Sequence, residues 1–373
     1  MSKQIPEHII LELLKDCKNN QDLLGENGLL ANLHSQIMDY AIKIGLNAPL
    51  EGIDDDDHSD YAFLKSLNLT QKQAIELKDE IISLYSRGMI KTDIQAHFSA
   101  SQNIHLTTRH INSIINKSES EMELWRGREL DSIYPIVYLD AMRILVKENN
   151  IQRNKSVHIV LGINLEGRKE VLGLWIAHRE KSDIWANILT ELKNRGVKDI
   201  FIVCCDNLSG LTKSIKSLYP HSQIQLCVLH QKRASLACVA KKDKKILSND
   251  LAMIYTAPTL QIAEKRLSEM AEKWQENYPA MVKSWYHNWE NLTPFYEYIP
   301  ELRKVLYTTN MIESLNSQLR KVAKKERVFG SDQIALNALY LYLEVARKKW
   351  TMPIAHWQLI LNQFKLLFEE RLL

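Results

Sequence analysis

Three acidic residues stand in settings where an acid needs a reason. Asp140 interrupts YPIVYLDAMRILV (Tyr134 to Val146), a stretch apolar at most positions and otherwise charged only at Arg143. Asp206 closes DIFIVCCD, a short apolar run leading into the loop NLSG. Glu313 lies in YTTNMIESLNSQLRKVAKKERVF, where Thr309 or Asn310 can cap a helix carrying Glu313, Asn316 and Arg320 on one face. Carboxylates are rarely fully buried unless paired or metal-bound. Three in one cleft repel each other until a cation neutralises them. Mg²⁺ is the hard ion that takes oxygen ligands and keeps positions for water and phosphate. Two such ions can activate a water or a 3′-hydroxyl and stabilise the leaving oxygen of an in-line displacement at phosphorus. Spacing alone leaves plainer readings open. Asp140 can pair with Arg143 or another arginine, Asp206 can cap a helix beginning near Ser209, and Glu313 suits the positive end of a helix dipole.

The elements that must position these acids follow from periodicity. YPIVYLDAMRILV is β-rich, and VHIVLGINLEGRKEVLGLWIA reads as two strands about the turn Asn164–Gly167. DIWANILTELKNRG is an amphipathic helix stopped by Gly196, and DIFIVCCD is a buried strand. LSGLTKSIKSLYP reads as a helix and SQIQLCVLH as a further strand. The order β-β-β-α-β-α-β implies a mixed sheet with helices on its faces. It suits an RNase H-like core and not a doubly wound nucleotide-binding fold, which needs a helix after its first strand. In that core the strands bearing Asp140 and Asp206 are neighbours. The expected class is α/β: an RNase H-like mixed sheet with an all-helical insertion, preceded by a helical N-terminal region.

Residues 5–45 and the segment from Asn68 carry helical periodicity, separated by EGIDDDDHSDY, whose four consecutive aspartates mark a solvated linker. Three short helices with breaks at Arg87-Gly88 and Ser99–Asn103 fit a helix-turn-helix unit as well as a generic three-helix packing. In the former, a third helix beginning near Thr107 presents Thr108, Arg109, His110 and Asn112 to a major groove. The expected divisions are an N-terminal helical region at 1–52, an acidic linker at 53–60 and a helix-turn-helix-like region at 61–130. The core then occupies 131–239 and, with C-terminal helices, 301–373, around a helical insertion at 240–300. That insertion is rich in aromatics, including Trp285 and Trp289, four apart. Such a pair is core, or a platform on which an unpaired base stacks.

With 373 residues, 45 % of them hydrophobic, the chain can build two or three domains. No apolar run is long enough to cross a membrane and no signal peptide is visible. Five scattered cysteines read as reduced thiols, so the expected location is cytoplasmic, on the nucleoid when DNA is bound. The net charge of +3 conceals an asymmetry, because residues 1–60 hold four basic and twelve acidic side chains. A basic body is compatible with nucleic acid, and equally with an unevenly charged solvated surface. Arg320, Lys321, Lys324, Lys325 and Arg327 follow Glu313 as a basic cluster that could track a phosphate backbone or simply face solvent.

YPIVYLDA, LGINLEGRKEVLGLWI, LTELKNRGVKDIFIVCCD, YTAPT, YTTNMIESLNSQLRK and WTMPIAHW together resemble the transposases of bacterial Mutator-type insertion sequences. The resemblance runs through about residues 120–373 and returns over LLKDCKNNQDLLGENGLL and IISLYSRGMIKTDIQAHF. It implies a DDE transposase with an interrupted RNase H-like core. Position by position, the family's acids match Asp140, Asp206 and Glu313 as catalytic metal ligands for Mg²⁺, with Mn²⁺ as its substitute. It also implies double-stranded DNA as partner, the terminal inverted repeats of its own element and the target, and a homo-oligomer on DNA. A family Cys-x-x-His signature matches Cys227 and His230. As a zinc site it lacks a second ligand pair, and His230 reads as a structural histidine or as a polar contact near the cleft or DNA. The chain departs from the family between Ile44 and Phe63, where a basic glycine- and asparagine-rich stretch gives way to the acidic linker, and at Asn207, where a small residue is usual. These departures sustain an alternative: an internally shortened, catalytically impaired protein that binds DNA as a regulator.

Overall fold

The computed structural model describes residues 71–86, 89–308, 310–347 and 349–372, with the single positions 15 and 29. The expected N-terminal region, acidic linker and shortened stretch before Phe63 lie outside the described residues, as do Thr70, Arg87, Gly88 and Thr309.

Helices α1 (Gln71–Ser86), α2 (Lys91–Gln102) and α3 (Thr108–Gly127) enclose a small core of Leu77, Ile81, Ile94, Phe98, Ile111 and Ile114. Asn103 ends α2 in the left-handed region at φ 55°. Thr107 caps α3: its side chain accepts from the His110 N–H, and its own N–H donates to His110 Nδ1, each at 3.2 Å. The satisfied helix start fixes where the third helix begins.

The sheet comprises β1 (Ile133–Glu148), β2 (Ile151–Ile163), β3 (Lys169–Ala177), β4 (Asp199–Cys205) and β5 (Gln223–Leu226), in the order β3-β2-β1-β4-β5. β1, β2 and β3 run antiparallel, while β4 and β5 are parallel to β1. Asn149 and Asn150, at φ 50° and 62°, make the tight two-residue turn between β1 and β2. Helix α4 (Ser182–Asn194) crosses from β3 to β4, and α5 (Leu211–Leu218) from β4 to β5. Residues 134–140 of β1 are all buried, because helices cover both faces of this central strand.

Strand β5 is shorter than its sequence suggests. SQIQLCVLH alternates like a strand to His230, yet β5 stops at Leu226 opposite Cys205, where its neighbour β4 also ends. Cys227 then caps α6 (Val228–Ala237), its sulfur accepting the His230 N–H at 3.4 Å. His230 therefore lies on a helix.

Residues 240–300 contain α7 (Lys244–Tyr255), α8 (Leu260–Trp274), α9 (Pro279–Leu292) and a 3₁₀ turn at Pro294–Glu297. Then come α10 (Pro300–Thr308), α11 (Asn310–Glu326), α12 (Asp332–Arg347), α13 (Trp357–Leu367) and α14 (Glu369–Leu372). A buried hydrogen bond from Ser118 Oγ to Asn337 Oδ1, 2.9 Å, ties α3 to α12.

Candidate active site

Strand register brings the two aspartates together. Tyr138 on β1 pairs in parallel with Cys204 on β4. Asp140 lies two residues further along β1, and Asp206 two residues further on, just past the end of β4 at Cys205, so the register sets the two acids level. Asp140 is opposite Ile159, so it points away from the face of the next pair, Ala141 and His158. His158 packs edge-on against Trp185 of α4, whereas Asp140 faces α11. The loop after Asp206 turns at Gly210, where φ is +82° and an added Cβ would meet Ser182 Oγ at 2.9 Å. Gly210 opens α5 without a side-chain cap, so Asp206 does not serve as that helix's cap.

Both Asp140 oxygens are held. The Ala141 N–H donates to Oδ1 at 2.7 Å, and Asn316 Nδ2 donates to Oδ2. Asn316 is 1 % exposed, and its Oδ1 has no hydrogen-bond partner. Burial first, then the Asp206 charge, pushes the Asp140 carboxyl up to about 6, against the opposing pull of His230, the Ala141 N–H and Arg320.

Asp206 meets His230, whose Nδ1 is 2.5 Å from Asp206 Oδ1. The Asp206 contact, then the Cys227 thiol, pushes the imidazole up to about 10. Three residues along α6, Arg233 Nη1 lies 3.3 Å from His230 Nε2, and Nη2 lies 2.7 Å from Glu313 Oε1. Glu313 and Asn316 are themselves three apart on α11. The result is a circuit of contacts in two arcs, one from Asp140 to Asn316 and one from Glu313 through Arg233 and His230 to Asp206. A cavity of about 10 Å³, with room for about one water, is lined in part by Asp140, Asp206, Cys227, His230 and Ile312.

The circuit joins all three sequence-read acids. Asn316, also a candidate DNA contact on the helix face it shares with Glu313 and Arg320, is instead buried as the donor to Asp140. Arg143 is exposed and does not hold Asp140. Arg320, Lys321 and Lys324 are exposed on α11, in keeping with a surface basic cluster; the side chain of Lys325 lies outside the described residues. Arg109 is exposed, while His110 spends Nδ1 on capping α3. Trp285 is 1 % exposed and its indole N–H donates to Ser235 Oγ at 2.9 Å, so it is a core residue and offers no face to a base. Trp289 packs against the same core.

Two residues had escaped the sequence reading. Arg233 stands three residues from His230, a spacing that aligns the two only because the segment is helical. Glu180, before α4, accepts from the Trp185 indole at 3.3 Å; burial and then the nearby Asp206 charge push its carboxyl up, partly offset by that hydrogen bond. A groove of about 600 Å³ beside the Asp206 loop is lined by residues including Arg143, Lys155, Arg179, Glu180 and Leu208.

Asp140 and Glu313 bring further carboxylate oxygens to the neighbourhood of Asp206, the donor type that a hard divalent ion takes. Asp206, Cys227 and His230 form the group of potential ligand atoms lying within 4.8 Å of one another among the described residues. No helix among those residues is long and apolar enough to cross a membrane.

Comparison with known proteins identifies the family. The family model described as "Transposase, Mutator family" matches residues 63–353. A probable transposase for an insertion sequence element of Corynebacterium diphtheriae is 39 % identical over 273 residues, 73 % of this chain and 80 % of that protein. The transposase for insertion sequence element ISRM3 of Rhizobium meliloti is 35 % identical over 302 residues, 81 % of this chain and 76 % of that protein. The transposase for IS256 in transposon Tn4001 of Staphylococcus aureus is 23 % identical over 283 residues, covering 75 % and 72 %. The chain belongs to the Mutator family of transposases.

Proposed function

We propose that this protein is a DDE transposase that cleaves DNA at the ends of an insertion sequence and joins the exposed 3′-hydroxyl to target DNA. The observation that carries the reading is the register of the adjacent parallel strands β1 and β4, which sets Asp140 level with Asp206 just past the end of β4, with His230 and Arg233 leading from Asp206 to Glu313. Asp140, Asp206 and Glu313 would hold Mg²⁺, or Mn²⁺ in its place. The bound ions supply Lewis-acid activation of the attacking hydroxyl and charge stabilisation at phosphorus. The protein's own residues do the positioning. Asn316 and the Ala141 N–H fix the Asp140 carboxylate so that its remaining lone pairs keep one direction. Buried walls around Asp140 keep bulk water from competing with those oxygens.

Under this reading the sheet with α4 and α5 is the RNase H-like core, resumed by α11 after a helical insertion at 240–300. The unit α1–α3 is a helix-turn-helix-like DNA contact that reads terminal inverted repeats, with Arg109 among its exposed residues. Arg320, Lys321 and Lys324 are exposed further along the helix that bears Glu313, and Arg143 and Arg179 line a groove beside the Asp206 loop. Both sets of cations would offer contacts to the phosphates of DNA entering the site. Action at two element ends implies a homo-oligomer on DNA.

Pre-cut terminal-repeat oligonucleotides with Mg²⁺ or Mn²⁺ test the reaction. Metal-dependent joining by the wild type, abolished by Asp140→Asn with DNA binding retained, is the expected result. Joining by that variant, or DNA binding without any joining by the wild type, refutes the proposal.

A further inference from the structure

We propose that Arg233 is an exchanging cation: it holds Glu313 while no divalent ion is bound, and passes to a phosphate of the reacting DNA strand when one is. The inference rests on the reading of Asp140, Asp206 and Glu313 as metal ligands.

Three observations carry it. First, Arg233 occupies a ligand atom. Its Nη2 lies 2.7 Å from Glu313 Oε1, and a metal on that oxygen needs the same lone pairs. Guanidinium and metal are both positive, so they exclude each other electrostatically as well as sterically. Secondly, the hold is slight. It consists of one ion pair from a partly exposed guanidinium, and the other near contact, His230 Nε2, is at 3.3 Å. Thirdly, Arg233 is placed to leave without unfolding anything. Its side chain is 58 % exposed against 22 % for Glu313. The arginine therefore stands at the rim and the glutamate further in.

A released guanidinium has an obvious acceptor. It keeps its charge at any working pH and presents a planar fork of donors matched to two phosphate oxygens. Rooted on α6 three residues from His230, it remains beside the carboxylates after letting go of Glu313. A phosphate bound there would lie next to the metal ligands, where a reacting phosphodiester has to sit. One arginine would thus keep the acids neutralised before loading and clamp the substrate after it.

The test separates the two halves. Mn²⁺ binding is measured by electron paramagnetic resonance on the full chain without DNA, and strand joining on pre-cut ends is measured in parallel. Arg233→Gln removes the competitor of a partly exposed ion pair, so Mn²⁺ should bind roughly two- to five-fold tighter. Joining by the same variant should fall about 100-fold, the usual effect of losing a charged donor at a reacting centre. Arg233→Lys keeps the charge without the fork: Mn²⁺ affinity should stay near wild type, and joining should be only partly restored. Unchanged or weaker Mn²⁺ binding by Arg233→Gln overturns the exchange, and normal joining by that variant overturns the phosphate role. Glu313→Gln serves as the control. If it leaves Mn²⁺ binding untouched, the metal-site reading itself has failed, independently of Arg233.

Discussion

Replacing Asp140 by Asn should make the metal-free protein more stable while destroying its activity. Asp140 is 6 % exposed, and its carboxyl is pushed up to about 6 from an ordinary 3.8, by burial first and by Asp206 second. A group whose folded pKa lies above its unfolded value penalises the fold once both states are ionised. Below about pH 4 the carboxyl is protonated in both states and costs nothing. As pH rises from about 4 to about 6, the unfolded chain ionises first and stability falls. Each pKa step is about 1.4 kcal/mol, so above pH 6 the ionised group costs on the order of 3 kcal/mol. Asn removes the charge at nearly the same volume. The neighbouring Asn316 can turn its unpartnered Oδ1 towards the new amide, so the exchange need not orphan a donor. For a chain of this size the gain corresponds to about 5 °C in Tm. The assay is thermal unfolding of wild type and Asp140→Asn in chelator at pH 4 and pH 8. A gain at pH 8 that disappears at pH 4 is expected. A loss at pH 8, or a gain independent of pH, would refute the reasoning that Asp140 is a buried charge awaiting a cation.

Further outcomes follow from the same circuit. Asn316→Ala leaves Asp140 Oδ2 without its donor, and should destabilise the metal-free protein by about 2–3 kcal/mol and raise the Mg²⁺ concentration needed for joining; denaturant titration and a metal titration check both. Trp285→Phe keeps the core filled but drops the hydrogen bond to Ser235, costing about 1 kcal/mol with DNA affinity unchanged in a gel-shift titration; a large loss of affinity would restore a stacking role. His230 has its pKa raised to about 10, chiefly by Asp206. The stability it adds is therefore complete below about pH 6.5 and is lost as pH rises towards 10. Melting curves over that interval should slope downward for wild type and flatten in His230→Asn.

Much of the site was legible because strands announce themselves locally. The apolar runs around Asp140 and Asp206 could only be central strands, and an acid at the end of such a strand meets the crevice. Their adjacency followed from element order, since three strands precede the first crossover. The boundary of β5 was not legible. QIQLCVL has strand chemistry, and what stops it is the end of β4 at Cys205 and the Cys227 sulfur capping α6, both facts of tertiary structure. The role of Asn316 was hidden for the same reason: nothing near it in sequence reveals a partner at Asp140, 176 positions away. Arg233 looked like one more surface arginine, because the spacing that aligns it with His230 has meaning only once that segment is helical. Trp285 stood open between core and stacking platform. Aromatics four apart look alike whether they form a core or a platform, and only burial separates the two.

The central claim is that three acids remote in sequence form one ion-binding centre. The most direct measurement is anomalous diffraction at the manganese edge from crystals of the wild type equilibrated with Mn²⁺. The account predicts anomalous density in contact with carboxylate oxygens of Asp140, Asp206 and Glu313, with Arg233 withdrawn from the glutamate. Manganese bound elsewhere while this pocket keeps its Arg233–Glu313 pair would contradict it.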